Sequence, residues 1–325
     1  MKKLFYCTLA VAVMSLFAAC QKDGKFNPKE KIANVYEESL YISSYNYDGQ
    51  TYGDTTMMPK RLTERWTWDG NKLTKIAYID YWQTWNGNTY VDTAVEYIVN
   101  FTYDGKQLAE ANSDGQRIVF SYDGSKLEKA EVFEENNATA IVTLDFEHDG
   151  KKINKIVVTQ NWDGSGLDKS QPVMGRMERM LLGNMLPDLK PVEKVFAKAR
   201  KSGAKGTVSE TINLTWDGDN VSKMVITYGN ESSTSTYVYD DKNNPYQGFM
   251  YAIDYMMEDG PVFVNENNIV KAVYQYSDYD GKGSSEVNFT YTYDGKWPTS
   301  RKQVYSDNYE GNYYYDSETK YFEYK

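Results

Sequence analysis

Apolar residues in this chain fall at every second position on the approach to an Asp-Gly pair, then resume after it with one odd step. With the ring-bearing residue before Asp-Gly as zero, positions −2 and −4 hold Phe101 and Val99, Phe120 and Ile118, Phe146 and Leu144, Leu214 and Ile212, and Trp66 with Glu64. The positions between are mostly polar, such as Thr102 and Asn100 or Thr215 and Asn213. This is the period of a strand with one buried face and one wet face. Beyond the pair, apolar residues sit at +5, +8 and +10: Leu73, Ile76, Tyr78; Leu127, Ala130, Val132; Ile153, Ile156, Val158; Val221, Met224, Ile226. The step from +5 to +8 breaks alternation, which predicts a bulge directly after each turn.

The repeated phrase runs from Trp68 to Leu73, Tyr103 to Leu108, Tyr122 to Leu127, His148 to Ile153 and Trp216 to Val221. Asp-Gly between alternating runs is a strong hairpin signal, because Gly reaches positive φ without steric cost. Turns this short serve only an antiparallel sheet. Tyr47-Asp48-Gly49, Trp85-Asn86-Gly87, Trp162-Asp163-Gly164 and Tyr293-Asp294-Gly295 read as further tips. The pattern covers 36–168, stops over 169–206, and returns over 207–325.

The interruption carries Pro172, Pro187, Pro191 and four methionines. Val173, Met177, Met180, Leu181 and Met185 fall at helical spacing, as do Val192, Val195, Phe196 and Ala199. Two short amphipathic helices are predicted, either plugging the apolar face of a curled sheet or acting as a lid over a greasy groove, since Met is an adaptable contact surface. The expected fold is all-β: a large curled antiparallel meander of hairpin repeats, an open or half-barrel sheet, with a short two-helix insertion. The repeats on either side continue one sheet.

The first residues concern address. Lys2 and Lys3 precede an apolar run from Leu4 to Ala19, a signal peptide over 1–19 rather than a membrane span. Ala18-Ala19-Cys20 resembles the bacterial lipobox, which implies a lipidated Cys20, a membrane partner through that lipid, and a tether over 20–35. Cys7 lies inside the signal, so no disulfide is expected in the mature chain. Gln21-Lys22-Asp23-Gly24-Lys25 resembles, loosely, the export tag of surface lipoproteins of Bacteroidota. The periplasmic and the surface-exposed face of the outer membrane both stay open. Together, the repeats and the lipobox resemble the tandem β-repeat lipoproteins of Bacteroidota, a group without assigned function, and more distantly the YD repeats of Rhs-type wrapping proteins. The copies are unevenly spaced and Rhs-type chains are far longer, so the resemblance does not imply a closed shell.

Composition adds limits. The net charge is −10 and falls to −12 when Lys2 and Lys3 leave with the signal. That acidity argues against nucleic acid as a partner. His148 is the one histidine and stands where other repeats carry Tyr or Trp, so it reads as a substitute ring beside a turn. No Cys- or His-based catalytic constellation, metal site or cofactor site is assembled by the sequence. Asp278 to Gly283 begins like a calcium loop, but Lys282 and Phe289 occupy ligand positions, so it reads as a turn.

Two tripeptides starting at Asp54 and Asp92 resemble the O-glycosylation acceptor of exported Bacteroidota proteins, which implies Thr55 and Thr93 as acceptors. Tyr81, Trp82, Trp85 and Tyr90 cluster near one hairpin tip and form the candidate ligand patch, since flat rings stack on sugars. The leading reading is a non-catalytic, lipid-anchored envelope module that uses exposed aromatics for a glycan, peptide or protein partner. The alternative is a carrier of an apolar ligand under a helical lid. A glycan-active enzyme using paired carboxylates ranks third.

Overall fold

The computed structural model of the protein describes residues 26, 28–47, 50–85, 90–113, 115–134, 138–162, 206–228, 231–249, 261–278, 281–309 and 312–325. Its first strands are β1 (Ile32–Tyr47), β2 (Gln50–Asp69), β3 (Lys72–Trp85), β4 (Tyr90–Asp104) and β5 (Gln107–Ser113). Then come β6 (Gln116–Asp123), β7 (Lys126–Glu134), β8 (Val142–Asp149), β9 (Lys152–Trp162), β10 (Gly206–Asp217) and β11 (Asn220–Tyr228). The last are β12 (Glu231–Asn243), β13 (Asn267–Asp278), β14 (Gly281–Asp294), β15 (Trp297–Tyr309) and β16 (Asn312–Tyr324). Each strand pairs antiparallel with its sequence neighbours, and β9 pairs directly with β10 across the long connection.

The Asp-Gly pairs lie at one end of these strands. Asp69 pairs with Lys72, Asp104 with Gln107, Asp123 with Lys126, Asp149 with Lys152, Asp217 with Asn220 and Asp294 with Trp297. Each loop therefore has two residues, and its Gly has φ of 54–61°. The predicted bulge follows every one. Trp68 opposes Leu73 while Thr67 opposes Lys75, which leaves Thr74 as the extra residue, and the same shift recurs at the other five turns. The bulge explains the odd step: one unpaired residue returns +8 to the inner face.

The sheet does not stay open. β1 pairs with β16 from Ile32–Tyr324 to Ser44–Tyr313, closing a barrel of sixteen strands. The open or half-barrel sheet expected from the repeats is overturned by this seam. Two unpaired edges at the ends of so long a meander would each expose a row of backbone donors and acceptors, and closure removes both.

Inside, the strands contribute one continuous core, including Val35, Trp66, Leu73, Ile76, Phe101, Ile118, Phe146, Ile156, Ile212, Met224 and Phe322. The material that fills the turn end comes from the connection between β12 and β13. Phe249 and Phe263 are 1% and 0% exposed, and Tyr246 and Val262 are buried beside them. Phe26, ahead of β1, stacks on Phe249 with ring centroids 4.6 Å apart, and Trp66 meets the same ring at 5.3 Å. Asn244 holds this plug. Its Nδ2 donates to Val262 O at 2.6 Å and Asn265 O at 2.9 Å, while its Oδ1 accepts from Tyr246 N at 2.9 Å. The helices expected to plug the apolar face fall within 163–205, outside the described residues. Among the described residues there is no helix, and the role given to them is taken by 244–249, 261–265 and Phe26.

Away from the turn end the wall divides. β2 pairs with β3 only from Glu64–Tyr78 to Asp69–Lys72, whereas β1 and β2 stay paired out to Tyr47–Gln50. β4 meets β5 only from Asn100 onward, while β3 and β4 continue to Trp85–Tyr90. The β3–β4 hairpin and the sheet of β15, β16, β1 and β2 thus rise as separate arms above a closed base.

Candidate functional site

The base rim is built by the residue at position zero of each repeat. Trp68 Nε1 donates to Ile32 O at 2.7 Å, Tyr103 OH to Leu73 O at 2.8 Å and Tyr122 OH to Leu108 O at 2.9 Å. His148 Nε2 lies 2.7 Å from Leu127 O, Trp216 Nε1 donates to Ile153 O at 2.8 Å and Tyr239 OH to Val221 O at 2.5 Å. Tyr291 OH and Tyr324 OH complete the set on Ile269 O and Pro298 O, at 2.9 and 2.8 Å. Eight bonds thus run once around the barrel, each from an even-numbered strand to the odd-numbered strand before it. The acceptor is usually the carbonyl of the aliphatic +5 residue. The five acceptors Leu73, Leu108, Leu127, Ile153 and Val221 each lie beside the bulge that follows the turn.

Burial pushes the phenols of Tyr103, Tyr122, Tyr239 and Tyr324 well above the ordinary tyrosine range, so they stay protonated and donate. His148 is one link of the belt. Only a protonated Nε2 can donate to Leu127 O, and its Nδ1 is buried without a hydrogen-bond partner. The sequence carried a signal for this belt: position zero is Tyr, Trp or His, ring types with a donor, while Phe appears two positions earlier at Phe101, Phe120 and Phe146. The repeat ending in Tyr293 departs from the rule, since Tyr293 OH donates to Asp240 Oδ2 and Tyr291 takes the belt bond.

A second tie lies outside the first. Lys31 Nζ donates to Gly70 O at 2.9 Å, Gln107 Nε2 to Gly124 O at 2.9 Å, and Lys152 Nζ to Gly218 O. Each long side chain clasps the carbonyl of the next turn. Lys31, Lys72 and Lys152 also lie 5.1–5.9 Å above the rings of Trp68, Tyr103 and Trp216.

Above the apolar core, the inner face of the closure seam turns charged. Glu37 pairs across strands with Lys320 and with Arg61, and Lys320 pairs with Arg301. Arg301 Nη2 and Lys320 Nζ each lie 3.4 Å from Glu318 Oε1. Glu64 accepts from Trp66 Nε1 at 2.7 Å. Burial, then the carboxylates of Glu318 and Glu64, push Glu37 up to about 7, against the pull of Lys320 and Arg301. On β10, burial alone pushes Glu210 up to about 7. These carboxyls can hold a proton near neutrality. Glu318 is shared by two cations and Glu64 is held by an indole, an arrangement that ties strands together rather than flanking an open bond-cleaving cleft. Among the described residues no group of three His, Cys, Asp or Glu side chains could hold a metal ion.

By ladder parity, positions 81, 85 and 90 of the candidate patch share one face of the β3–β4 arm and position 82 falls on the other. Trp82 pairs with Thr93 and Trp85 with Tyr90 in that ladder. Tyr81 bridges two arms: its OH donates to Leu62 O at 3.1 Å and the Arg61 guanidinium lies 5.0 Å from its ring centroid. The side chains of Trp82, Trp85 and Tyr90 lie outside the described residues, as does Cys20. Thr55 is exposed on β2 opposite Ile42, and Thr93 is half-buried. Asp278 pairs with Gly281, so the calcium-like stretch is a chain reversal between β13 and β14.

No protein-family model and no curated protein matches the chain. Among solved structures it is similar to a porin-like protein from Bacteroides uniformis, with TM-score 0.48 and 11% identity over 93% of this chain and 100% of that one. A porin-like protein from Bacteroides vulgatus matches with TM-score 0.27 and 12% identity over 91% of this chain and 99% of that one. Both likenesses are too distant to carry function, and the outer face speaks separately. It carries Lys129–Asp145, Lys155–Glu147, Arg65–Glu96 and Lys271–Glu286 ion pairs. A membrane-spanning barrel presents an apolar outer band and a polar lumen. Here the base of the barrel shows the reverse, with the apolar core inside and these ion pairs outside.

Proposed function

We propose that this chain is a non-catalytic, lipid-anchored module of the bacterial cell envelope that engages a glycan, peptide or protein partner through its projecting arms. The observation that carries this reading is the polarity of the barrel base: a plugged apolar interior inside a charged outer wall. Such a barrel stands in water and needs another device to stay at a membrane, and the lipobox at Cys20 is that device. It belongs with the outer membrane through the lipid, not through its strands. The interior at the base is occupied by Phe249, Phe263 and Tyr246, which favours a pedestal over a carrier of apolar cargo. The likeness to tandem β-repeat lipoproteins of Bacteroidota stays with this reading as its family expectation.

A glycan and peptide array probed with the mature protein tests the binding half. The expected result is a ligand retained by the wild type and lost by Trp82→Ala or Trp85→Ala at unchanged thermal stability. Binding that survives both changes removes the arm aromatics from the reading. Native mass spectrometry of protein from its host tests the carrier, whose signature is a co-purifying apolar molecule.

A further inference from the structure

Both chain ends enter the barrel at the rim of tight turns. Lys325 N donates to Lys31 O at 2.8 Å, and Ile32 pairs with Tyr324 at the lower end of the closure seam. Ahead of β1 the chain is already fixed, because Phe26 is 5% exposed and stacked on the plug. Only residues 21–25 separate Phe26 from Cys20. Fully extended, that span reaches about 22 Å, less than a long flexible leash would give. The long β1–β2 and β3–β4 hairpins run from this rim to the opposite end.

Resting on the reading of Cys20 as lipidated, we propose that the tight-turn rim is the face the protein turns to the bilayer, and that the arms point away from it. The lipid and the plug share one end, so a short tether fixes which end is proximal. The six Asp-Gly turns, with residues 29–31 and 323–325, carry lysines and carboxylate side chains in equal number, within a chain of net charge −10. The end of β12 and its connection to β13 at the same rim add Asp240, Asp241 and Glu266 against Lys242, so the placement rests on the short tether and not on charge. The exposed Met57 and Met58, 72% and 53% accessible, then stand on the distal side, where an arm can meet a partner.

Single cysteines test this in the mature lipoprotein, whose Cys20 sulfur is consumed by the lipid. Lys106→Cys in a rim turn and Met57→Cys on the β1–β2 arm are each labelled with a fluorophore. The protein is then reconstituted in phosphatidylcholine vesicles carrying a headgroup nitroxide quencher. The orientation predicts several-fold stronger quenching at position 106 than at 57, and Lys151→Cys repeats the rim reading should Lys106→Cys misfold. Equal or reversed quenching in protein that floats with the vesicles overturns the orientation while leaving the anchor standing. Wild-type protein that neither floats nor carries a diacylglyceryl mass overturns the anchor itself, and the orientation with it.

Discussion

The base of the barrel and the arms above it are written in the same alternating code, yet only the base closes. At the base each strand has two neighbours, a bulge follows each of the six Asp-Gly turns, a ring on every even-numbered strand is bonded to the strand before it, and an apolar plug lies behind. In the arms, β2 above Glu64 keeps only β1 as partner, and β3 above Tyr78 keeps only β4. The difference teaches that alternation makes hairpins, while side-chain ties between hairpins, together with a filled interior, make a barrel. Stability should therefore be concentrated at the base, and substitutions can break or sharpen that contrast.

The largest effect is expected from the plug. Phe263→Ala removes a fully buried ring and should cost about 3–5 kcal/mol, read as a fall in the urea midpoint. A loss no greater than that of an arm substitution would end the idea that the plug supports the base.

Next comes a pH effect. Burial raises Glu210 from 4.5 to about 7, so the folded state holds its proton more tightly than the unfolded chain does. The stability this contributes is complete below pH 4.5 and lost as pH rises through about 7. Glu210→Gln should thus match the wild type in acid and exceed it by about 1–3 kcal/mol at pH 8. Thermal melts of both proteins across that range decide it, and a gain equal at both ends would contradict a titrating carboxyl.

Tyr122→Phe keeps the ring and deletes the belt donor to Leu108 O. A cost of about 1–2 kcal/mol is expected from chemical denaturation. No change would mean that water takes over the carbonyl and that the belt is ornamental.

Gly124→Ala meets no atom within 4 Å, so any loss reflects its φ of 60° alone. About 1 kcal/mol is expected, with less for Gly124→Asn, in the same denaturation assay. Met57→Ser on the arm sets the lower end of the scale, within about 0.5 kcal/mol of wild type. A larger loss there would show that the arm supports the fold.

Much of the base was legible in the sequence because its causes are local. The Asp-Gly reversals, the single buried face and the bulge between +5 and +8 follow from φ preference and side-chain parity within a dozen residues. His148 reads as a replacement ring, and the tertiary structure shows which property of that ring matters. Its Nε2 continues a belt whose chemistry also explains the preference for Tyr and Trp over Phe at position zero. The aromatic cluster was grouped by proximity in sequence, but positions 82 and 85 differ by an odd number and so take opposite faces of one ladder.

Closure itself could not be read. Nothing near Ile32 announces Tyr324 as its neighbour, because the seam joins residues almost a whole chain apart and depends on the tilt accumulated over sixteen strands. The plug was missed for a related reason. The segment around Phe249 and Phe263 lacks the repeat's pattern, and its burial arises only once a closed wall surrounds it. By itself, then, the sequence determined where the chain turns and which face of each strand is apolar. The tertiary structure decided that those faces enclose an interior and that the chain fills its base with its own aromatics, since these depend on contacts between residues that no local preference links.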